Sequence, residues 1–366
     1  MFSFLRKEEI NTSRLYNLDL LKSLAIVSMI FCHCVLMLGV HHMGYEKEFL
    51  YFFGDVILGD YIAVAHAFMF AMGVCIVFSK KNSPADHVKR GIRIFLLGYV
   101  LNFFRYGIYA LIEGLISGEF EPQTLEALFG PDIFQFAGLA LILTGIFKWL
   151  RLKEIHILII SIIMSLAGSF SVLIDTGNYV GNLLLGHFIT TTHDTSCFAI
   201  LNWYIFVAVG IMFGFIVRRI ENTDCFYKRL LLITGIASLI YIALTLKFGM
   251  LFLTKQNFYY AVSTIEAIGL LCTDLFLLSV FYFLIKKIGV SKFGIATEMS
   301  KNTTVIYVFQ WCVIGFTDSI FGYILEYSFP YYVIYSFALA LTFASVFFAR
   351  FWNKCKSRKL IEPIKS

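Results

Sequence analysis

Charge is scarce in this chain. Only 15% of its 366 residues are Asp, Glu, Lys or Arg, 59% are hydrophobic and mean hydropathy is +0.79, so most of the chain must find an apolar solvent. Also missing are the alternating segments of about ten residues that a transmembrane barrel needs. The apolar runs reach about 20 residues, the length at which a helix crosses a bilayer while satisfying its own backbone. Proline occurs five times, and no stretch is rich enough in Pro, Gly or Ser to link two domains. Neither an internal repeat nor a pair of broken apolar segments, the mark of many transporters, is visible. A cleavable leader is lacking too. The first apolar run is too long, follows a charged tail of 17 residues and has no small-residue cleavage site, so it is expected to act as an uncleaved anchor. The eight cysteines show neither metal nor disulfide spacing and read as small hydrophobes.

What is present predicts an all-α, polytopic membrane helix bundle. Apolar runs set against turn and charge signals place ten helices at about 18–38, 57–78, 91–113, 132–150, 155–174, 200–217, 230–248, 263–285, 303–321 and 331–350. Of the 30 Lys and Arg, 25 fall in the two tails and the even loops, with residues at span edges counted to the loops, and 3 fall in the odd loops. That bias predicts both termini in the cytoplasm and a multi-pass protein of the cytoplasmic membrane. The formal charge of +6 is thereby a sign of orientation and not of nucleic acid. A tail at 1–17, one integral-membrane domain at 18–350 and a basic tail at 351–366 complete the expected organisation.

The remaining two of the 30 basic residues lie within the spans, Lys22 and Arg105. Lys22 shares the first helix with His33, eleven residues on. Eleven steps return a side chain to within roughly 20° of the same face, roughly 16 Å along the axis. Ionisable groups at such positions read as functional by default. Arg90 and Arg93, at the cytoplasmic start of the third span, offer guanidinium forks for phosphate oxygens and, with Lys22, would make a cationic mouth on the inner side. An acyl-CoA thioester has phosphates at one end and a pantetheine arm on the order of 15–20 Å before its carbonyl, which matches the helical rise between Lys22 and His33. A neutral imidazole is the side chain best tuned to take an acceptor's proton near pH 7.

At these residues the chain resembles the membrane acyltransferase 3 family, whose first helix carries LD-x-x-R-x10-H and whose second cytoplasmic loop carries R-x-x-R. Here the first reads Leu18-D-L-L-K onward to His33, and the second is Arg90-GI-Arg93. The run FMFAMGVCIVFS at 68–79 is similar to the family's apolar FxxSG element, and SKNTTVIY at 300–307 looks like its late S-K-N-T…I-Y signature. Local stretches at 132–140 and 201–210 look as much like the heparan-α-glucosaminide N-acetyltransferase group. Both groups imply transfer of an acyl group, acetyl by family habit, from cytoplasmic acyl-CoA to an acceptor across the membrane, with no metal. The chain departs from the pattern twice. Lys22 stands for the family's arginine and loses the fork. Gln310 stands where many relatives have a histidine after the late I-Y, and cannot act as a base.

The expected site is therefore His33 as catalytic base with Asp60 orienting it, Lys22, Arg90 and Arg93 on the donor, and Gln310 and Arg105 on the acceptor. The acceptor is expected to be an extracytoplasmic glycan or other cell-envelope hydroxyl or amine. Arg105 needs an acidic or carbonyl partner, with Asp60, Glu113, Glu266, Asp274 and Asp318 as the acidic options. Trp203, Trp311, Tyr106, Tyr109, Tyr327, Tyr331 and Tyr332 near helix ends read as an interfacial aromatic belt. A rival reading from another class is a multi-span transporter or exporter that uses Lys22, His33, Arg105 and Asp274 as a polar relay.

Overall fold

A computed structural model describes residues 6, 8–39, 53–54, 58, 65–118, 128–171, 174–191, 196–248, 259–325, 327 and 329–361. Its helices run in the order α1 (Tyr16–Gly39), α2 (Ala65–Phe78), α3 (Pro84–Asn102), α4 (Ile108–Ser117), α5 (Ile133–Trp149), α6 (Glu154–Phe170), α7 (Tyr179–Gly186), α8 (Ile200–Arg219), α9 (Thr223–Phe248), α10 (Thr264–Ile288), α11 (Gly294–Lys301), α12 (Thr303–Asp318) and α13 (Tyr331–Ile361). Among the described residues there is no strand, only an isolated bridge between Ile174 and Thr191. Each of the ten expected apolar stretches contains helix among its described residues, but not always to its full bounds: the helix in the fifth ends at Phe170, short of Ile174. By length and composition six helices are able to cross a membrane: α1, α8, α9, α10, α12 with the π turn after it, and α13. α2, α5 and α6 are apolar but shorter, at 14, 17 and 17 residues. α7 and α11 fall in stretches that the sequence reads as loops.

The chain divides into two compact units. The larger comprises 1–18 and 65–285, and the smaller comprises 19–64 and 286–366. Within the larger, α8 is apolar all round, and Trp203, Tyr204, Phe206, Val207 and Ala208 have no exposed surface, as expected of a helix enclosed by others. α2 lies against it so closely that a Cβ on Gly210 would sit 2.1 Å from the carbonyl oxygen of Phe70. Small residues at such a crossing replace the hydrophobic driving force that lipid does not supply. Trp203 and Trp311 do not belong to an interfacial belt. Both are buried among protein side chains, Trp203 donating from Nε1 to the Tyr260 carbonyl. Tyr331 is buried as well, whereas Tyr327 and Tyr332 are exposed.

Local signals start the helices. Ser83 caps α3 in a reciprocal box with Asp86, and Pro84 takes the first turn, where a missing N–H costs nothing. Asp132 caps α5 in the same way with Gln135. Between α3 and α4 the helix widens into a π turn at Phe103–Gly107, which sets the direction of Arg105.

Candidate active site

In the smaller unit, α1 and α12 carry the residues singled out by spacing. At one end, Ser300 at the close of α11 joins Asp19 to Lys22. Its hydroxyl donates to Asp19 Oδ1 at 2.6 Å, and its carbonyl accepts from Lys22 Nζ at 2.6 Å. Ser23 donates to the Ala296 carbonyl at 2.6 Å. A helix leaves its last carbonyls without intrahelical partners and negative in potential, so a lysine there satisfies both the hydrogen bond and the dipole. Lys22 is half-buried, and one of its three N–H donors is engaged by Ser300. The LD-x-x-K and S-K-N-T motifs, far apart in sequence, are thus two halves of one contact.

At the other end stands His33. Its Nδ1 lies 3.1 Å from Gln310 Nε2 and 3.4 Å from Gln310 Oε1, and Gln310 is fully buried. The Trp311 ring is centred 4.1 Å from the imidazole, tilted by 33°, and the Tyr307 ring approaches edge-on at 6.3 Å. His33 itself is half-buried. Lys22 to His33 and Ser300 to Gln310 are near-equal numbers of residues in the same chain direction, so α1 and α12 run parallel over roughly 15 Å. Gln310 is placed on the imidazole, where it fixes ring orientation. Sequence reasoning saw that it could not be a base but assigned it to the acceptor, because a contact between α1 and α12 leaves no trace in either helix's periodicity.

The remaining expected residues that are described belong to the larger unit. Arg90 and Arg93 are exposed on the first turns of α3, in the larger unit. Arg105 forms an ion pair with Asp132, a partner absent from the five acids considered, since the N-cap of α5 falls beside the π turn. Its guanidinium also lies 4.7 Å from the Tyr106 ring centre. Asp60 lies outside the described residues. Asp274 pairs with His66 through Oδ2 and Nδ1 at 2.9 Å, and neither side chain has any exposed surface. That pair, between α2 and α10, was not anticipated. Two polar residues flanked by apolar ones on different helices were its only signal. In the larger unit Arg105 and Asp274 each have a local partner, as Lys22 and His33 do in the smaller, so all four relay residues are engaged locally.

The family model described as an acyltransferase domain matches residues 15–350, a range that includes most of both units. No curated protein matches the chain. Apolar helices able to cross a membrane, the two motif contacts in the smaller unit and a family match over nearly the whole length agree: the chain belongs to the acyltransferase 3 family and is a membrane acyltransferase.

Proposed function

We propose that the protein crosses the cytoplasmic membrane ten times with both termini inside. It takes an acyl group, acetyl by family habit, from cytoplasmic acyl-CoA and delivers it to a hydroxyl or amine of an extracytoplasmic glycan or other envelope acceptor. The observation that carries this reading is the pairing of α1 with the end of α11 and with α12, where a lysine meets Ser300 and, roughly 15 Å along α1, an imidazole meets Gln310. A pantetheine arm has that reach. Arg90 and Arg93 take phosphate oxygens of the donor, with Lys22 adding positive charge at the inner end.

His33 is the base. It accepts the acceptor's O–H or N–H proton as the freed lone pair attacks the thioester carbonyl. The C–S bond then breaks, the acyl group stays on the acceptor, and the departing thiolate recovers the proton from the imidazolium. Charge and protons balance without a metal. Trp311 and Tyr307 confine the ring, and Asp60 is the carboxylate proposed to stabilise the imidazolium.

Release of free CoA from labelled acetyl-CoA in membranes that contain the acceptor tests the reading. His33→Ala is expected to abolish release while the protein remains inserted and folded, and a variant with wild-type turnover would falsify the assignment. Arg93→Ala is expected to raise the donor requirement far more than the acceptor requirement. A transporter would release no CoA.

A further inference from the structure

The close packing of α3 on α5 brings together a cluster that neither helix announces alone. A Cβ on Gly91 would lie 2.6 Å from the Gly138 carbonyl oxygen, and one on Gly145 would lie 2.9 Å from Val88 Cγ2 and 3.0 Å from the Pro84 carbonyl oxygen. Glycine at these positions lets the first turns of α3 meet the last turns of α5. At that end Lys148 Nζ donates to Asn82 Oδ1, while His87 Nε2 lies 2.9 Å from the same oxygen and 3.2 Å from Nζ. His87 is 2% exposed. Arg90 follows one turn later on α3 and is exposed.

This arrangement gathers positive charge without matching it. Residues 80–93 and 148–154 hold eight Lys and Arg against two acids, Asp86 and Glu154. Asp86 is already committed to the capping box, its Oδ2 accepting from Ser83 Oγ at 2.7 Å. Lys148 is half-buried and its hydrogen bond goes to a neutral amide, while the carboxylate of Glu154 acts on it by charge alone. A cation fixed in this way beside an exposed arginine suits a phosphate oxygen.

We propose that Lys148, positioned by Asn82 and His87, is a further cation of the donor site and contacts a phosphate of acyl-CoA alongside Arg90. The proposal rests on the donor reading above and adds a residue outside the R-x-x-R motif. The same chemistry would suit a phospholipid headgroup, so the test separates the two.

The full-length protein in phosphatidylcholine nanodiscs, titrated with CoA and with phosphate-free S-acetylpantetheine, provides that test. Lys148→Gln is expected to weaken CoA binding about tenfold, the size of one charge-assisted hydrogen bond. Lys148→Arg should stay near wild type, and acetylpantetheine binding should not change. Asn82→Asp keeps the lysine but gives it an internal carboxylate, and is expected to weaken CoA binding to a similar degree. Unchanged CoA affinity in a folded Lys148→Gln protein overturns the proposal, and so does the lipid outcome, in which that variant loses bound phosphatidylglycerol and keeps its CoA affinity. A wild-type protein that binds no CoA would instead sink the donor reading itself.

Discussion

An imidazole serves as a base only with a lone pair on the nitrogen that meets the acceptor, and under the mechanism proposed for His33 the contact with Gln310 would decide which nitrogen that is. With the amide oxygen accepting from Nδ1–H, Nε2 carries the lone pair. With the amide nitrogen donating to Nδ1, the proton moves to Nε2 and the base is lost. Both amide atoms lie within 3.4 Å of Nδ1. Gln310→Leu is therefore expected to lower kcat by at least about tenfold while CoA affinity stays unchanged, since it removes orientation and not donor contacts. A variant with unaltered kcat would show that the amide has no share in the reaction. His87 gives a second prediction at this scale. Burial, with Lys148 and Arg90 nearby and Asp86 opposing them, pushes its pKa down from an ordinary 6.5 to about 4. Within that interval the unfolded chain binds the proton more readily, so stability falls as pH drops from about 6.5 toward about 4 and is level above. Thermal unfolding at about pH 7 and about pH 4.5 should show a smaller acid-induced loss for His87→Gln than for wild type, and equal losses would remove His87 as the cause.

Between elements, the pairing of α2 with α10 depends on polar groups that the mechanism does not use. His66 and Asp274 are fully buried, and beyond their mutual bond His66 Nε2 and Asp274 Oδ1 have no hydrogen-bond partner among the described residues. Removing one member of such a pair strands the other in an apolar interior at a cost of about 3–5 kcal/mol, whereas replacing both with apolar residues is often neutral. His66→Leu is accordingly expected to lower the Tm of the purified protein clearly, and His66→Leu with Asp274→Leu to recover most of the loss. A double variant no more stable than the single would mean that the carboxylate is not held for pairing alone. The same contrast explains what could be read from the sequence. Lys22 and His33 stand on one helix, where a period of 3.6 residues fixes their relation without tertiary knowledge. Asp274 with His66, Gln310 with His33 and Lys148 with Asn82 each join separate elements, and single-helix periodicity carries no record of them. The partner of Arg105 was missed for a related reason. A π turn changes the direction of a side chain within an otherwise regular helical run, and no residue pattern at 103–107 signals it.

At the scale of the whole molecule, the match to the acyltransferase family includes residues from both compact units, so no single unit holds the complete family sequence. Composition points to the helical membrane class, and the Lys and Arg bias predicts an orientation, because cytoplasmic loops retain positive charge during insertion. Segment 79–90 carries four of these cations and segment 175–199 carries none, although both stretches are polar enough to leave the bilayer. The two segments should therefore open on opposite sides. In intact cells, Asn178→Cys is expected to react with a membrane-impermeant maleimide, while Lys81→Cys should react only after permeabilisation. The native cysteines serve as the background, measured in the unsubstituted protein. Labelling of Lys81→Cys from outside would reverse the orientation and put Arg90 on the side without acyl-CoA. Equal access to both positions in intact cells would mean that the path from α3 to α7 crosses the membrane an even number of times, against the odd number that ten spans require.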